Sequence, residues 1–251
     1  MQIRPIIIGR GERALVVIAG MSLAGLSGQE AALAEGFADL ARDHTVLVYD
    51  RAPGLPRGYT VEEMARDVAE DLIARGIAGA DVFGASQGGM IAIVLAARWP
   101  ELCRRVVLAS SYPRGNAVSR AVFSAWAELA DRGDCRAILH DFYTRAFTPA
   151  YYAKYRDVFT ALEAQDLTAA CSQFAILCRA CLAFDGTALL PQISCPVLVL
   201  GAEEDAVLGA EGSRQLAEAL RCPLYLYPGY GHAVYDEAPD FRARIADYFR
   251  R

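Results

Sequence analysis

Hydrophobic positions along the chain follow two alternating patterns. Short runs rich in β-branched residues predict buried strands, and the segments between them place hydrophobic residues three or four positions apart, which predicts amphipathic helices. Leu33, Phe37 and Leu40 share one helical face, and a capping box at Thr60–Glu63 opens the next helix. Alternating strands and helices predict an α/β fold with a mostly parallel central sheet and helices on both faces. The main strand-like runs are 2–8, 14–19, 45–49, 105–109, 196–201 and 224–227.

The first two of these runs lie close together in the sequence. Between residues 2–8 and 14–19 the chain reads Gly9-Arg10-Gly11-Glu12, and its glycines permit a tight turn. Two strand-like runs joined by a short glycine-bearing turn are typical of a β-hairpin. We therefore expect these two strands to pair with each other.

The strand pattern stops between residues 113 and 190. This block is too long to be a loop and shows only helical spacing. We therefore predict that residues 1–112 and 191–251 form the α/β core and that residues 113–190 are an inserted helical cap. The helices expected in the block are 118–130, 135–147, 149–162 and 167–184.

Composition and charge narrow the choice of partners. A chain of 251 residues is long enough for one large α/β domain, and its net charge of −5 argues against nucleic acid or an anionic membrane as the main partner. No hydrophobic run approaches the ~18 residues that span a bilayer. Seven cysteines without the spacing of a small disulfide scaffold favour reduced thiols and a cytoplasmic location. Cys178 and Cys181, with Cys171 before them, fit the buried face of a helix better than a metal site, so no metal is predicted.

One short motif carries the strongest chemical signal. Gly84-Ala85-Ser86-Gln87-Gly88 fits the Gly-x-Ser-x-Gly nucleophile elbow, a sharp turn between a strand and a helix. Val82 and Phe83 supply the hydrophobic strand before it, and Met90 to Ala97 supply a helix-length hydrophobic segment after it. This context predicts Ser86 as a nucleophile.

A serine hydroxyl needs a neighbouring base, and the base in turn needs an orienting carboxylate. Of the three histidines, His44 precedes a strand and His140 lies inside a predicted cap helix, so only His232 follows the carboxyl end of a strand. Among the consecutive acids at 203–205, Glu203 and Glu204 are expected to be solvated, and Asp205 at the strand–loop edge is the predicted orienting acid. Ser86, Asp205 and His232 occur in the chain order typical of α/β-hydrolases.

Two backbone N–H groups are expected to bind the developing oxyanion. One belongs to Gln87, the residue after the nucleophile, and begins the elbow helix. The other lies in the loop after the second strand, where Met21 is the best candidate.

These motifs together resemble the α/β-hydrolase superfamily, in its serine esterase and lipase-like branch. The resemblance extends over nearly the whole chain, through 17–20, 48–51, the elbow, 201–205 and 231–232. It implies an α/β-hydrolase fold with a helical cap and chemistry without a cofactor. The chain departs from common family patterns at Ala19-Gly20, where His-Gly is frequent, and at 52–56, where a Gly-x-Gly-x-Ser loop is frequent. A serine nucleophile disfavours the dehalogenases and epoxide hydrolases of the superfamily.

The expected function is hydrolysis of a small-molecule carboxylic ester or thioester through an acyl-enzyme. A carbon–carbon bond hydrolase acting on a ring-cleavage product, and a non-catalytic receptor for a small ligand, remain alternatives. The expected partner is an apolar acyl substrate, and the protein is expected to be a monomer or homodimer. The cap is expected to set substrate selectivity. Its candidate substrate-binding residues are Trp126, His140, Tyr143 and Tyr152.

Overall fold

Seven strands form one sheet in the computed structural model, which describes residues 1–251. The sheet order is the first, third, second, fourth, fifth, sixth and seventh strand, and every neighbouring pair is parallel except the first with the third. The strands are β1 (Ile6–Ile8), β2 (Arg13–Ile18), β3 (His44–Tyr49), β4 (Ala80–Ala85), β5 (Cys103–Ala109), β6 (Val197–Ala202) and β7 (Leu224–Tyr227). The predicted mostly parallel sheet is confirmed.

The predicted N-terminal hairpin is wrong. β1 pairs antiparallel with β3, with Ile6 opposite Val48, and does not pair with β2. The reason lies in the position of β2, whose two edges are already occupied by parallel pairing with β3 and β4. Because both edges of β2 are occupied, β1 pairs with the outer edge of β3 instead.

Helices cover both faces of this sheet. Outside the long insertion they are α1 (Glu30–Gly36), α2 (Val61–Ala74), α3 (Gln87–Arg98), α9 (Ala210–Leu220), α10 (Val234–Glu237) and α11 (Phe241–Arg250). The predicted capping box is present, because the Thr60 side chain accepts from the N–H of Glu63 and the Glu63 side chain accepts from that of Thr60. It satisfies two backbone donors at the start of α2.

Between β5 and β6 the chain is helical, as expected. The helices are α4 (Ala117–Asp131), α5 (Cys135–Ala146), α6 (Pro149–Lys154), α7 (Arg156–Glu163) and α8 (Thr168–Ala183), followed by a 3-10 helix at Thr187–Gln192. The single helix expected over 149–162 is divided at Tyr155, whose φ of −107° and ψ of 20° interrupt the helix. No single helix of the chain is long and apolar enough to cross a membrane, and the only combination with that length and composition is α7 with α8, which are bent by 102°.

Two hydrophobic clusters fill the space above and below the sheet. Alternate residues of β2 belong to different clusters: Val16 and Ile18 join one of 57 buried residues, and Leu15 and Val17 join one of 20. The larger cluster contains α2 and α3 and continues without a break into α4, α5 and α8. The smaller cluster contains α11. The helices between β5 and β6 therefore pack on the core that supports the elbow.

The cysteines depart from the expectation of reduced thiols. Cys135 of α5 and Cys171 of α8 form a disulfide, with their Cα atoms 6.3 Å apart. The two residues are 36 positions apart in the sequence, and only the packing of the helices brings them together. Five cysteines are free: Cys103, Cys178, Cys181, Cys195 and Cys222.

Candidate active site

Ser86 occupies a strained turn between β4 and α3. Its φ of 54° and ψ of −122° lie outside the regions that L-residues normally adopt. The glycines around it are required by space, because a Cβ on Gly88 would lie 2.0 Å from the carbonyl oxygen of Ile18 and one on Gly84 would lie 2.4 Å from that of Gly88. The close approach of β2, β4 and α3 therefore explains the Gly-x-Ser-x-Gly pattern.

Ser86, His232 and Asp205 form a continuous line of hydrogen-bonded side chains. His232 Nε2 lies 3.0 Å from Ser86 Oγ, and His232 Nδ1 lies 2.8 Å from Asp205 Oδ2. The three residues are 5%, 1% and 7% exposed, respectively. The structure thus brings together the nucleophile, base and acid that the sequence predicts, with the distances that proton transfer requires.

The surroundings of Asp205 keep its carboxyl group ionised. Burial alone would raise its pKa, but His232 and the backbone N–H groups of Val207 and Leu208 lower the pKa below the usual value. Those N–H groups donate to Asp205 Oδ1 at 2.9 and 2.8 Å and leave Oδ2 for the imidazole. Asp205 is therefore fixed in position as well as charged.

The two predicted oxyanion donors are free. The N–H groups of Met21 and Gln87 donate to no acceptor within the chain. Gln87 begins α3, so its N–H also lies at the positive end of a helix dipole. Both groups are available to an oxygen atom that becomes negative near Ser86.

A buried arginine that sequence reasoning missed connects the loop after β2 with the start of α3, the two segments predicted to carry the oxyanion donors. The Arg51 side chain is 3% exposed and donates from Nη1 to the carbonyl oxygen of Ala19 at 2.7 Å. Its Nε and Nη2 atoms donate to Gln87 Oε1 at 3.0 and 2.9 Å. Gln87 Nε2 in turn donates to the carbonyl oxygen of Leu177 and to Cys181 Sγ in α8. The signal in the sequence was an arginine two positions after the end of β3.

An apolar cavity of about 300 Å³ extends from the oxyanion loop. Twenty of its 25 lining residues are hydrophobic, and Asp236 and Arg242 are the only charged ones. Gly20 and Met21 line it, whereas Ser86 and His232 do not. Its lining includes residues of α5 as well as residues of the sheet, α1 and α11.

Of the four predicted cap residues, only Tyr143 reaches this cavity. Trp126 is buried in the helical layer, where its indole N–H donates to Asp141. Tyr152 stacks on Phe159, with ring centroids 5.5 Å apart. His140 is exposed and lies 3.2 Å from Glu163. These last three residues do not line the cavity, and their role in substrate binding stays a prediction.

The remaining histidine and the cysteines have other partners. His44 is buried, with Nε2 3.1 Å from Asp81 and Nδ1 3.1 Å from the carbonyl oxygen of Leu40, so it links structural elements away from Ser86. Cys178 is buried and free, and Cys181 accepts from Gln87. No group of three or more His, Cys, Asp or Glu side chains is placed to hold a metal ion.

Comparison with known proteins agrees with this architecture. A model of the alpha/beta hydrolase fold family matches residues 23–239. A protein of Pseudomonas savastanoi pv. phaseolicola named "Putative carbamate hydrolase RutD" is 30% identical in an alignment of 240 residues that covers 89% of this chain and 90% of that protein. A protein of the same name from Variovorax paradoxus is 30% identical in an alignment of 224 residues that covers 84% of each chain.

Solved structures give the same result over almost the full length. The enol-lactonase from Burkholderia xenovorans LB400 superposes with a TM-score of 0.81 at 26% identity, covering 98% of this chain and 95% of that one. MGS-M2, an alpha/beta hydrolase enzyme from a deep-sea metagenome library, superposes with a TM-score of 0.84 at 25% identity, covering 98% and 93%. The chain therefore belongs to the alpha/beta hydrolase fold family.

Proposed function

We propose that this protein is a serine hydrolase that cleaves a carboxylic ester or thioester of a small molecule. The observation that carries the proposal is the line of hydrogen bonds from Ser86 through His232 to Asp205. The fold family and the relatives named as hydrolases support the hydrolytic class. The free N–H groups of Met21 and Gln87 add the electrostatic element that acyl transfer needs.

Acylation begins when Ser86 Oγ attacks the carbonyl carbon of the substrate. The hydroxyl proton passes to His232 Nε2, and the positive charge on the imidazolium is stabilised by Asp205. The carbonyl oxygen becomes an oxyanion and accepts from the N–H groups of Met21 and Gln87. When the intermediate collapses, His232 returns the proton to the departing alkoxide or thiolate, and the acyl group remains on Ser86.

Deacylation repeats these steps with water as the nucleophile. His232 takes one proton from the water molecule as its oxygen attacks the acyl carbon. The second intermediate then collapses, Ser86 leaves with the proton held by His232, and the carboxylic acid is released. The reaction consumes one water molecule and requires no group beyond the side chains and backbone donors named above.

Carbamate hydrolysis is a second candidate, favoured by the names of the relatives. A carbamate carbonyl can form the same tetrahedral intermediate at Ser86, so the triad alone does not separate carbamates from esters. The apolar cavity favours a substrate with a hydrocarbon portion, because a small polar carbamate would leave most of that surface unfilled. Cleavage of a carbon–carbon bond in a ring-cleavage product, and ligand reception without catalysis, complete the alternatives.

A substrate panel tests the proposal. The purified protein is assayed with p-nitrophenyl acetate and butyrate, an acyl thioester, p-nitrophenyl carbamate and a dienone acid. We expect turnover of the esters or the thioester, and losses on the order of 10⁴-fold or more in Ser86→Ala and His232→Ala that do not add in the double variant. His140→Ala is the matched control, since His140 is an exposed histidine away from the cavity.

The other outcomes identify the competing functions. Turnover of the carbamate alone would identify the protein as a carbamate hydrolase. Turnover of the dienone acid alone would identify it as a carbon–carbon bond hydrolase. Turnover of no member by folded protein would favour a receptor. Ester turnover that persists in Ser86→Ala would remove Ser86 from the role of nucleophile.

A further inference from the structure

We propose that the part of the cavity between the sheet and helices α1 and α11 binds the acyl chain of a medium-chain substrate. This inference rests on the proposed function and adds to the triad and the oxyanion donors a separate binding region for the acyl chain. We define the lower chamber by Val17, Val48 and Phe83 of the sheet, Leu33 of α1, Phe37 just after it, and Ile245 of α11. The upper chamber lies under the cap and is bounded by Ile138, Leu139, Phe142, Tyr143 and Phe174.

The lower chamber lies on the sheet face opposite the cap. Val17, Val48 and Phe83 belong to the smaller hydrophobic cluster, which is the one that contains α11. The larger cluster, on the other face, contains the cap helices α4, α5 and α8. A substrate chain in the lower chamber would therefore contact the α/β core and not the segment 113–190.

Helix α1 lacks the buried apolar face that a surface helix usually has. A surface helix normally buries one apolar stripe against the core, but none of the seven residues of α1 is buried. Leu33 is only partly buried and borders the lower chamber. An acyl chain in the chamber would add apolar contacts to those that Leu33 already makes with the smaller cluster.

The lining residues that lie next to the predicted site favour the acyl side of the substrate. Gly20 and Met21, in the loop predicted to carry an oxyanion donor, and Ala85, the residue before Ser86, all line the cavity. His232, which must protonate the leaving group, does not line it. A chain that enters the cavity therefore extends from the carbonyl carbon on the oxyanion side, whereas the leaving group departs on the imidazole side.

The volume limits the length of the chain. At about 30 Å³ for each water-sized group, the cavity of about 300 Å³ holds roughly ten such groups in both chambers together. An acyl chain of eight carbons lies within this limit. Each methylene transferred from water into the chamber should raise affinity about fourfold until the space is filled.

Tryptophan substitutions that fill one chamber or the other test the proposal. kcat/KM is measured for p-nitrophenyl esters from acetate to decanoate in the wild type, in Leu33→Trp and in Leu139→Trp, which fills the upper chamber instead. Ala32→Trp is the matched control, because Ala32 is an exposed neighbour on the same helix. We expect the octanoate-to-acetate ratio of kcat/KM to fall at least tenfold in Leu33→Trp and to stay within twofold of wild type in Ala32→Trp. A tenfold fall of the octanoate-to-acetate ratio in Leu139→Trp, with no change of this ratio in Leu33→Trp, would overturn the proposal.

A binding measurement separates this inference from the proposed function. Binding of sodium octanoate to Ser86→Ala, which carries out no acyl transfer, is followed by calorimetry with and without Leu33→Trp. We expect binding that weakens at least tenfold when Leu33 is replaced. If octanoate binds in this manner but the wild type hydrolyses no ester, the lower chamber is supported as a binding site and the proposed function is refuted. If esters are hydrolysed but octanoate binding does not depend on Leu33, the proposed function is supported and the assignment of the lower chamber is refuted.

Discussion

Arg51 is expected to position the oxyanion hole, and replacing it by methionine tests this role. The guanidinium makes three hydrogen bonds, to the carbonyl oxygen of Ala19 and to Gln87 Oε1, in an almost fully buried setting. Arg51→Met keeps a side chain of similar length but leaves both acceptors unpaired, at about 1–3 kcal/mol each. Removal of the cost of burying a guanidinium offsets part of this loss, so we expect a net destabilisation of about 2 kcal/mol.

The effect on catalysis should be larger than the effect on binding. Loss of one oxyanion donor typically lowers kcat about 10²–10³-fold, and a displaced donor should cost less, so we expect kcat to fall about 10–10²-fold. KM should change little, because the oxyanion forms only during reaction.

The assay uses p-nitrophenyl acetate at a temperature where the variant stays folded by circular dichroism. Arg57→Met is the matched control, since Arg57 is an exposed arginine in the same loop. Arg51→Lys, which retains the charge but lacks the fork of donors, should restore part of kcat. A kcat for Arg51→Met within threefold of that for Arg57→Met would refute the reasoning.

Two further predictions concern the carboxyl groups of Asp205 and Asp236. Asp205→Asn should lower kcat by about 10³–10⁴-fold with little change in KM, because the imidazolium loses its stabilising charge, and steady-state kinetics at pH 7 would show it. Desolvation by the surrounding protein raises the pKa of Asp236 to about 6, so the folding free energy lost on its ionisation builds up as the pH rises from about 4 to about 6 and is constant above that. Asp236 is exposed where it borders the cavity, and solvent screening there reduces the effect to about 1 kcal/mol. Asp236→Asn should therefore raise the melting temperature at pH 8 and leave it nearly unchanged at pH 4; an equal shift at both pH values would contradict this.

The parts of the site that could be predicted are those encoded by local sequence. Gly84 and Gly88 are required by a turn of five residues, so the elbow was visible as a motif. His232 could be found by elimination, because the chain has three histidines and only one follows the carboxyl end of a strand. The parallel sheet followed from alternating patterns, since strands joined through helices run in the same direction.

What could not be predicted depends on contacts between distant segments. The pairing of β1 with β3 depends on which strand edges are already occupied. The hydrogen bonds of Arg51 depend on the meeting of the loops after β2 and β3 with the start of α3. The cavity beneath α1 is an absence of packing that a hydrophobic pattern does not reveal. For the same reason the sequence did not reveal that Tyr143 lines this cavity whereas Trp126, His140 and Tyr152 do not. The division into a core of 1–112 and 191–251 and a cap of 113–190 stays a prediction.

Labelling with a fluorophosphonate probe tests the central claim most directly. The probe reacts with a serine only where a neighbouring base accepts its proton and the phosphoryl oxygen finds oxyanion donors. The account predicts one adduct per folded chain, located on Ser86 by mass spectrometry of the digested protein. It also predicts no adduct at position 86 in Ser86→Ala and strongly slowed labelling in His232→Ala. Folded wild-type protein that remains unlabelled, or that carries its adduct on another residue, would contradict it.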